Sequence, residues 1–177
     1  AFLVRGINVG GRHKVVMEEF CHDLKELGMS NVSSYINSGN FFFDSSLMKA
    51  ELLLVLEKFL NKTYPFIKVF SLFTLEDYQN EVASLPKWWE DDFYRKDVLL
   101  YTERLDKNEM RNIIESLELG DEIIHLGQLG IYWGKFDKSS YNQTAYHKKL
   151  LKAPFYPSIT IRNARTFSKI GQFLRMK

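Results

Sequence analysis

Hydrophobic residues recur along the chain with spacings that alternate between those of strands and those of helices. Apolar positions three and four residues apart predict helices, and short apolar or β-branched runs between turn-forming residues predict strands. Within the first 75 residues these patterns predict strands over 1–7, 32–37, 41–44 and 66–73, and helices over 16–27 and 47–61, with Ser45 or Ser46 as the N-cap of the second helix. The order β-α-β-β-α-β is that of the ferredoxin-like, split βαβ unit.

The later patterns repeat part of this order. A helix is predicted over 74–85 with Thr74 as its N-cap, and Pro86 then opens an irregular stretch. Strands and a helix in the order β-α-β-β follow over 97–133, then a short basic helix over 144–151, a strand over 158–161 and a C-terminal helix over 163–176. We therefore expect an α+β fold: a ferredoxin-like half (residues 1–75), a connecting segment (76–96) and a second, similar βαββ-containing half with a C-terminal helix (97–177).

The connection between the first strand and the first helix concentrates glycine, asparagine and basic residues. It reads Arg-Gly-Ile-Asn-Val-Gly-Gly over residues 5–11 and continues with Arg12, His13 and Lys14. Glycines let backbone N–H groups approach a ligand, the N-terminus of the next helix attracts anions, and basic side chains neutralise them. The alternative is a sharp turn without a ligand, since the spacing fits neither the P-loop nor the dinucleotide fingerprint. The predicted ligand residues in this turn are Arg5, Asn8, Gly10, Gly11 and Lys14.

A second polar turn, Asn37 to Asn40, separates the second and third strands. In the ferredoxin-like arrangement this hairpin and the turn after the first strand emerge at the same end of the sheet. We expect Gly10 and Gly11 to meet Ser38, Gly39 and Asn40 there, so the hairpin residues join the predicted site. For Arg162 and Asn163, which precede the last helix, two interpretations stay open: a surface charge and an N-cap, or side chains that reach the two loops and complete the pocket.

Few other residues suggest chemistry. None of the four histidines has a metal-ligand spacing, and Cys21 lies on the apolar face of the first helix as a core thiol. The acidic run at 90–92 is either a solvated loop or a cation site. Trp88 and Trp89 either fill the interface between the halves or form a partner-binding face. We predict no metal, no cofactor and no catalytic residue, and leave open whether the protein is an enzyme.

Charge is distributed unevenly. Of 24 basic and 22 acidic residues, ten basic residues and one acidic residue lie within 135–177, so this region carries a net +9 and residues 1–134 carry −7. Aromatic residues are interleaved with the basic ones, a composition typical of nucleic-acid surfaces, although a solvated basic face would have the same pattern. The aromatic residues are Tyr132, Trp133, Tyr141, Tyr146, Phe155 and Tyr156.

Composition also bears on location. The longest apolar run, 52–56, is far shorter than a membrane span of roughly 20 residues, and the chain start lacks the pattern of a signal peptide. A single cysteine fits a reducing compartment, so we expect a cytoplasmic protein that does not contact a membrane. The sequence begins with Ala1 rather than methionine, and we expect trimmed residues before it.

Several motifs together resemble a known family. They are the turn over 5–11, Gly-Met-Ser-Asn-Val over 28–32, Tyr-Ile-Asn-Ser-Gly-Asn over 35–40, and the pair Arg162-Asn163. The combination resembles a bacterial family of proteins of unknown function, domain of unknown function 1697, from the first strand to the last helix. The resemblance implies a cytoplasmic bacterial protein with a ferredoxin-like first half and supplies no catalytic residue. The family pattern commonly has tryptophan after the Arg-Asn pair, where this chain has Ala164.

Three functions remain in view. The first is binding of a phosphate-bearing or other anionic small molecule where the two loops and Arg162-Asn163 converge. The second is a nucleic-acid-binding module that uses the basic C-terminal region. The third is a structural or self-associating protein without a ligand, whose oligomeric state the sequence leaves open.

Overall fold

The first half of the chain forms a four-stranded antiparallel sheet with two helices on one face. The computed structural model describes residues 1–139 and 141–176. Its first four strands lie in the order β2-β3-β1-β4, which is the ferredoxin-like order, and the connectivity β-α-β-β-α-β is as predicted. The elements are β1 (Phe2–Val4), α1 (Met17–Glu26), β2 (Ser30–Tyr35), β3 (Asn40–Asp44), α2 (Lys49–Thr63) and β4 (Phe70–Leu72).

The second half repeats this arrangement. Its antiparallel sheet has the order β6-β7-β5-β8, so β8 takes the place that β4 has in the first sheet, and the predicted α+β fold with two similar halves is confirmed. Short 3-10 helices occur at Lys87–Glu90, Tyr141–Gln143, Leu150–Lys152 and Tyr156–Ser158. The remaining elements are α3 (Leu75–Ser84), β5 (Arg95–Tyr101), α4 (Lys107–Glu115), β6 (Glu122–Leu126), β7 (Gly130–Lys135), α5 (Ala145–Lys148), β8 (Ile159–Asn163) and α6 (Ala164–Arg175).

Both sheets are buried on both faces. In β1, Phe2 and Val4 pack with α1 and α2, while Leu3, which points to the opposite face, joins a central cluster shared with the second sheet. Val98 and Leu100 of β5 enter the same cluster from the other side, together with residues of α3 and α6. Strands buried on two sides need continuous apolar runs, which explains why β1 and β5 show no alternation.

The joint between the halves packs against this central cluster. Trp88 and Trp89 are partly buried there, and the Trp89 ring meets the Tyr132 ring edge-on with centroids 4.9 Å apart. The two indoles therefore fill the interface between the halves, as the first of the two interpretations expected. In α6, Gly171 lies directly against the ring of Tyr78 of α3, and any side chain at position 171 would collide with that ring.

Several predicted boundaries are wrong. β1 ends at Val4 rather than residue 7, because Gly6 (φ 79°) and Asn8 (φ 53°) turn the chain away from the sheet. α2 begins at Lys49, and its N-cap is Met48 rather than a serine; the Met48 N–H donates to Glu51 Oε2. β4 keeps only three of the eight predicted residues. No helix in the described parts of the chain is long and apolar enough to cross a membrane.

Candidate functional site

The two glycines of the first turn form the tip of a small hairpin. Gly10 (φ 58°) and Gly11 (φ 74°) occupy the central positions of a two-residue turn, which the Arg12 N–H closes by donating to the Val9 carbonyl at 3.1 Å. Positive φ at both central positions is the type I′ pattern, which favours glycine. Both glycines are exposed, and a side chain at either would meet nothing within 4 Å. Turn geometry alone therefore explains both residues.

The next helix begins six residues after the glycines and has acidic residues in its first turn. α1 begins only at Met17, and its first turn carries Glu18 and Glu19. Two carboxylates already occupy the positive end of the helix, where they are themselves stabilised by the helix dipole. The acidic first turn therefore weakens the expected contribution of the helix end to an anion site at Gly10 and Gly11.

Asn8 closes the base of the loop formed by residues 9–14. Its side-chain amide donates to the Val15 carbonyl at 3.0 Å, and its side-chain oxygen accepts from the Val15 N–H at 2.9 Å. The same amide donates to the Asn37 carbonyl at 2.9 Å. The two predicted loops therefore meet through Asn8 and Asn37, whereas Gly10 and Gly11 are exposed and make no hydrogen bond to residues 37–40 in the described structure.

The second loop packs tightly against the end of β1. Gly39 has φ 81°, its carbonyl accepts from the Val4 N–H at 2.9 Å, and a side chain at position 39 would collide with Val4. Asn40 is fully buried, and its amide donates to the Tyr35 carbonyl and to Ser38 Oγ, both at 3.0 Å. Backbone geometry and packing thus account for the Ser-Gly-Asn motif.

Arg162 is not the surface charge that one interpretation expected. It lies in β8, is 8% exposed, and its guanidinium extends into the loops of the first half. Nε donates to Asn40 Oδ1 at 2.6 Å, and Nη2 donates to the carbonyls of Val4 and Ser38 at 3.0 Å and of Gly39 at 3.2 Å. Burial without a compensating carboxylate lowers the pKa of Arg162 to about 10, which leaves it charged at neutral pH.

Arg5 makes the reciprocal contact from the first half to the second. Its Nη1 donates to the carbonyls of Tyr156 and Ile159 at 2.8 and 2.6 Å, and its guanidinium carbon lies 4.5 Å from the centroid of the Tyr156 ring. None of the salt bridges within residues 1–139 and 141–176 involves either Arg5 or Arg162. We call these two side chains the arginine latch. The latch joins the halves through backbone carbonyls.

The last predicted site residue, Asn163, acts as a helix cap. Its Oδ1 accepts from the Thr166 N–H at 2.8 Å, which satisfies one of the unpaired donors at the start of α6. Of the pair Arg162-Asn163, the structure therefore brings only Arg162 to the loops. Asn163 is the N-cap of α6, as one of the two interpretations expected.

Three basic residues of the first turn remain at the surface. Arg12, His13 and Lys14 are exposed, and the imidazole of His13 stacks on Phe66 with ring centroids 4.7 Å apart. Strained backbone accumulates at the same end of the sheet, where Asn8, His13 and Ile36 all have positive φ. Ile36 is β-branched, has φ 49° and is 48% exposed. Non-glycine residues rarely adopt this conformation, and such strain is frequent at functional sites.

A buried polar cluster in the second half escaped the sequence analysis. Lys135, counted there with the basic region, is fully buried, and its Nζ lies 2.7 Å from Asp97 Oδ2 and 3.1 Å from the centroid of the Tyr146 ring. Desolvation outweighs the attraction of Asp97 and lowers the pKa of Lys135 to about 8. The only available signal was an acid and a lysine that adjoin the apolar runs of β5 and β7.

The aromatic residues of the basic region are mostly inaccessible. Tyr132, Trp133, Tyr146 and Phe155 are buried and Tyr156 is partly buried, while the side chain of Tyr141 lies outside the described residues. Cys21 is partly buried against the core of the first half. Among the described residues, no group of three His, Cys, Asp or Glu side chains could hold a metal ion.

Comparisons with known proteins identify the family of the chain and a solved structure that is similar to it. The family described as "Protein of unknown function (DUF1697)" matches residues 1–132. A solved structure, that of the conserved bacterial protein SP0830 from Streptococcus pneumoniae, superposes with a TM-score of 0.96 at 58% sequence identity. The alignment covers 98% of this chain and 96% of that one. No curated protein matches the sequence.

Proposed function

We propose that this chain, which belongs to the DUF1697 family of proteins of unknown function, binds a phosphate-bearing or other anionic small molecule at the loops of its first half. Of the residues predicted to bind the ligand, Gly10, Gly11 and Lys14 remain available to contact it directly. Arg12 and His13, which flank Lys14, complete the contact surface. The ligand lies on the exposed loop formed by residues 9–14.

One observation carries this proposal: three adjacent basic side chains are exposed on a loop whose base is fixed. Asn8 makes three side-chain hydrogen bonds at that base, and the Asn8 N–H donates to the His13 carbonyl at 3.1 Å. None of the salt bridges between described residues neutralises Arg12 or Lys14. A fixed loop with unneutralised cations binds an anion at a smaller entropic cost than a mobile one.

The arginine latch supports the same site electrostatically. Arg162 is buried beside the loops without a carboxylate, so its charge is screened less than that of an exposed side chain. It adds a fixed positive potential at this end of the sheet. Asn8, Asn40 and Arg162 are thus positioning residues, and the Ser38 hydroxyl, whose oxygen accepts from Asn40, supplies a further donor at the edge of the site.

Binding of inorganic pyrophosphate tests this proposal. In a thermal-shift titration at low salt, pyrophosphate should stabilise the wild type, by about 1.4 kcal/mol at ten times its Kd. The double variant Arg12→Ala/Lys14→Ala should lose the part of that stabilisation that comes from the loop. Lys25→Ala/Lys58→Ala, which removes two exposed lysines elsewhere on the first half, should keep it. Equal stabilisation of both variants, or none in the wild type, would contradict the proposal.

The two alternative functions receive less support. Nucleic-acid binding through the basic region would need aromatic rings for stacking, and four of the aromatic residues there are buried. Self-association through Trp88 and Trp89 would need these rings at the surface, and both pack against the central cluster. A cytoplasmic location remains part of the proposal, supported by a single cysteine that cannot form an internal disulfide.

A further inference from the structure

A lysine-lined groove lies in the second half, and neither arginine of the latch lines it. It has a volume of about 560 Å³ and runs between the C-terminal end of α4 and the segment 143–153. Three lysines, Lys148, Lys149 and Lys152, line it from this segment, and all three are exposed. One carboxylate, Glu118, stands on the α4 side. The groove is therefore net positive.

The lysine-bearing segment is held firmly against the core. Glu122 is buried, and its carboxylate accepts from the backbone N–H groups of Ala145 and Tyr146 at 2.6 and 3.0 Å and from the Trp133 indole at 2.9 Å. Leu150, between the lysines, is 1% exposed. These anchors on both sides of Lys148 and Lys149 fix the backbone of the segment that places three like charges along one groove.

The lysines have no acidic partner that explains their grouping. No salt bridge in the described chain includes Lys148, Lys149 or Lys152. Like charges this close repel each other, so an arrangement of this kind is stabilised when an anion enters between them. The groove is also apolar at its base, which is formed by Ile113, Leu117, Ala145 and Ala153.

We propose that this groove binds a small polyphosphate anion with an apolar ring, such as a nucleoside polyphosphate. The phosphates lie between the lysines, where ammonium groups form charge-assisted hydrogen bonds with them. The ring lies on the apolar base, with Gln143 and Ser116 at its edge as polar contacts. A volume of about 560 Å³ is within the usual range of small-molecule sites. Nucleic acid fits less well, because the neighbouring rings of Tyr146 and Phe155 are buried and cannot stack on successive bases.

Calorimetric titration with ATP tests the groove independently of the loop site. The triple variant Lys148→Gln/Lys149→Gln/Lys152→Gln should bind ATP at least about tenfold more weakly than the wild type, since each charged hydrogen bond contributes about 1.5 kcal/mol or more. Lys138→Gln/Lys169→Gln/Arg175→Gln changes the net charge equally, outside the groove, and should stay within about twofold. Arg12→Ala/Lys14→Ala should also leave ATP binding at the groove intact. Circular dichroism confirms that each variant is folded.

The outcomes separate the alternatives. ATP binding that is tighter than tripolyphosphate binding and is lost only in the groove variant supports the proposal. Equal affinity for ATP and tripolyphosphate would overturn the assignment of the apolar base. Equal loss in the groove and control variants, or no binding at low salt, would overturn the site itself. Tight, salt-sensitive binding of a single-stranded oligonucleotide without ATP binding would replace the ligand with nucleic acid.

Discussion

Replacing Arg162 with methionine should destabilise the fold strongly. Methionine keeps much of the apolar stem but leaves Asn40 Oδ1 and the carbonyls of Val4 and Ser38 without their charged donor, whereas the Gly39 carbonyl keeps the Val4 N–H. Three hydrogen bonds from a charged donor contribute about 5–9 kcal/mol together. Removing the charge also removes the desolvation cost that lowers the pKa of Arg162 to about 10, and this offsets part of the loss of stability. We therefore expect a net loss of about 2–4 kcal/mol in the free energy of unfolding.

Urea denaturation followed by tryptophan fluorescence measures this loss directly. The matched control is Arg165→Met, which removes an exposed arginine three residues away and should change stability by less than about 0.5 kcal/mol. A midpoint for Arg162→Met that equals that of the control would refute the latch. Asn40→Ala should couple to it: because both residues share one hydrogen bond, the double variant should lose less than the two single losses combined, by about 1 kcal/mol or more.

Two further changes test separate parts of the fold. Gly39→Ala should lower the free energy of unfolding by about 2–4 kcal/mol, because φ is 81° and the new methyl group collides with Val4. The control Gly28→Ala, with φ 88° but open space around it, should lower it by about 1 kcal/mol. Equal losses for the two variants in denaturant unfolding would contradict the collision. Burial lowers the pKa of Lys135 from 10.5 to about 8, so between these values the unfolded chain holds the extra proton and stability rises with pH. The stability of the wild type relative to Lys135→Met should therefore grow by about 2 kcal/mol from about pH 7.5 to about pH 9.5, and a constant difference would show that Lys135 does not titrate there.

The fold was predictable because local patterns and topology agree. Amphipathic spacing identified α1, α4 and α6, and the order of elements alone implied the 2-3-1-4 strand order of the first sheet. The capping residue Thr74 could also be identified from the sequence, since it precedes its helix, and its side chain accepts from the Asp77 N–H of the first turn. Such features depend on residues that are close in the sequence, so a single sequence contains enough information to predict them.

The site was predictable only in part, because its contacts join distant residues. Arg162 lies 122 positions from Asn40, and nothing in the sequence near Arg162 distinguishes a buried arginine from a surface one. Lys135 was misjudged for the same reason: its partner Asp97 is 38 residues away in the neighbouring strand. Burial of a charge is decided by what packs around it, which hydropathy patterns of single segments do not record.

Several residues of the motifs by which the sequence resembles the family join the two halves of this chain. Arg5 binds carbonyls of the second half, Arg162 binds carbonyls of the first, and Asn40 and Gly39 shape the loop that receives Arg162. Most acceptors of the latch are backbone carbonyls, so it fixes the relative position of the sheets mainly through the backbone. Its side-chain contacts are with Asn40, Thr160 and the Tyr156 ring. A motif of this kind would be retained for geometry even if no ligand bound beside it. The test of ligand binding must therefore use residues outside the latch. Substitutions of Arg12 and Lys14 test binding, whereas those of Arg5 or Arg162 would also disturb the fold.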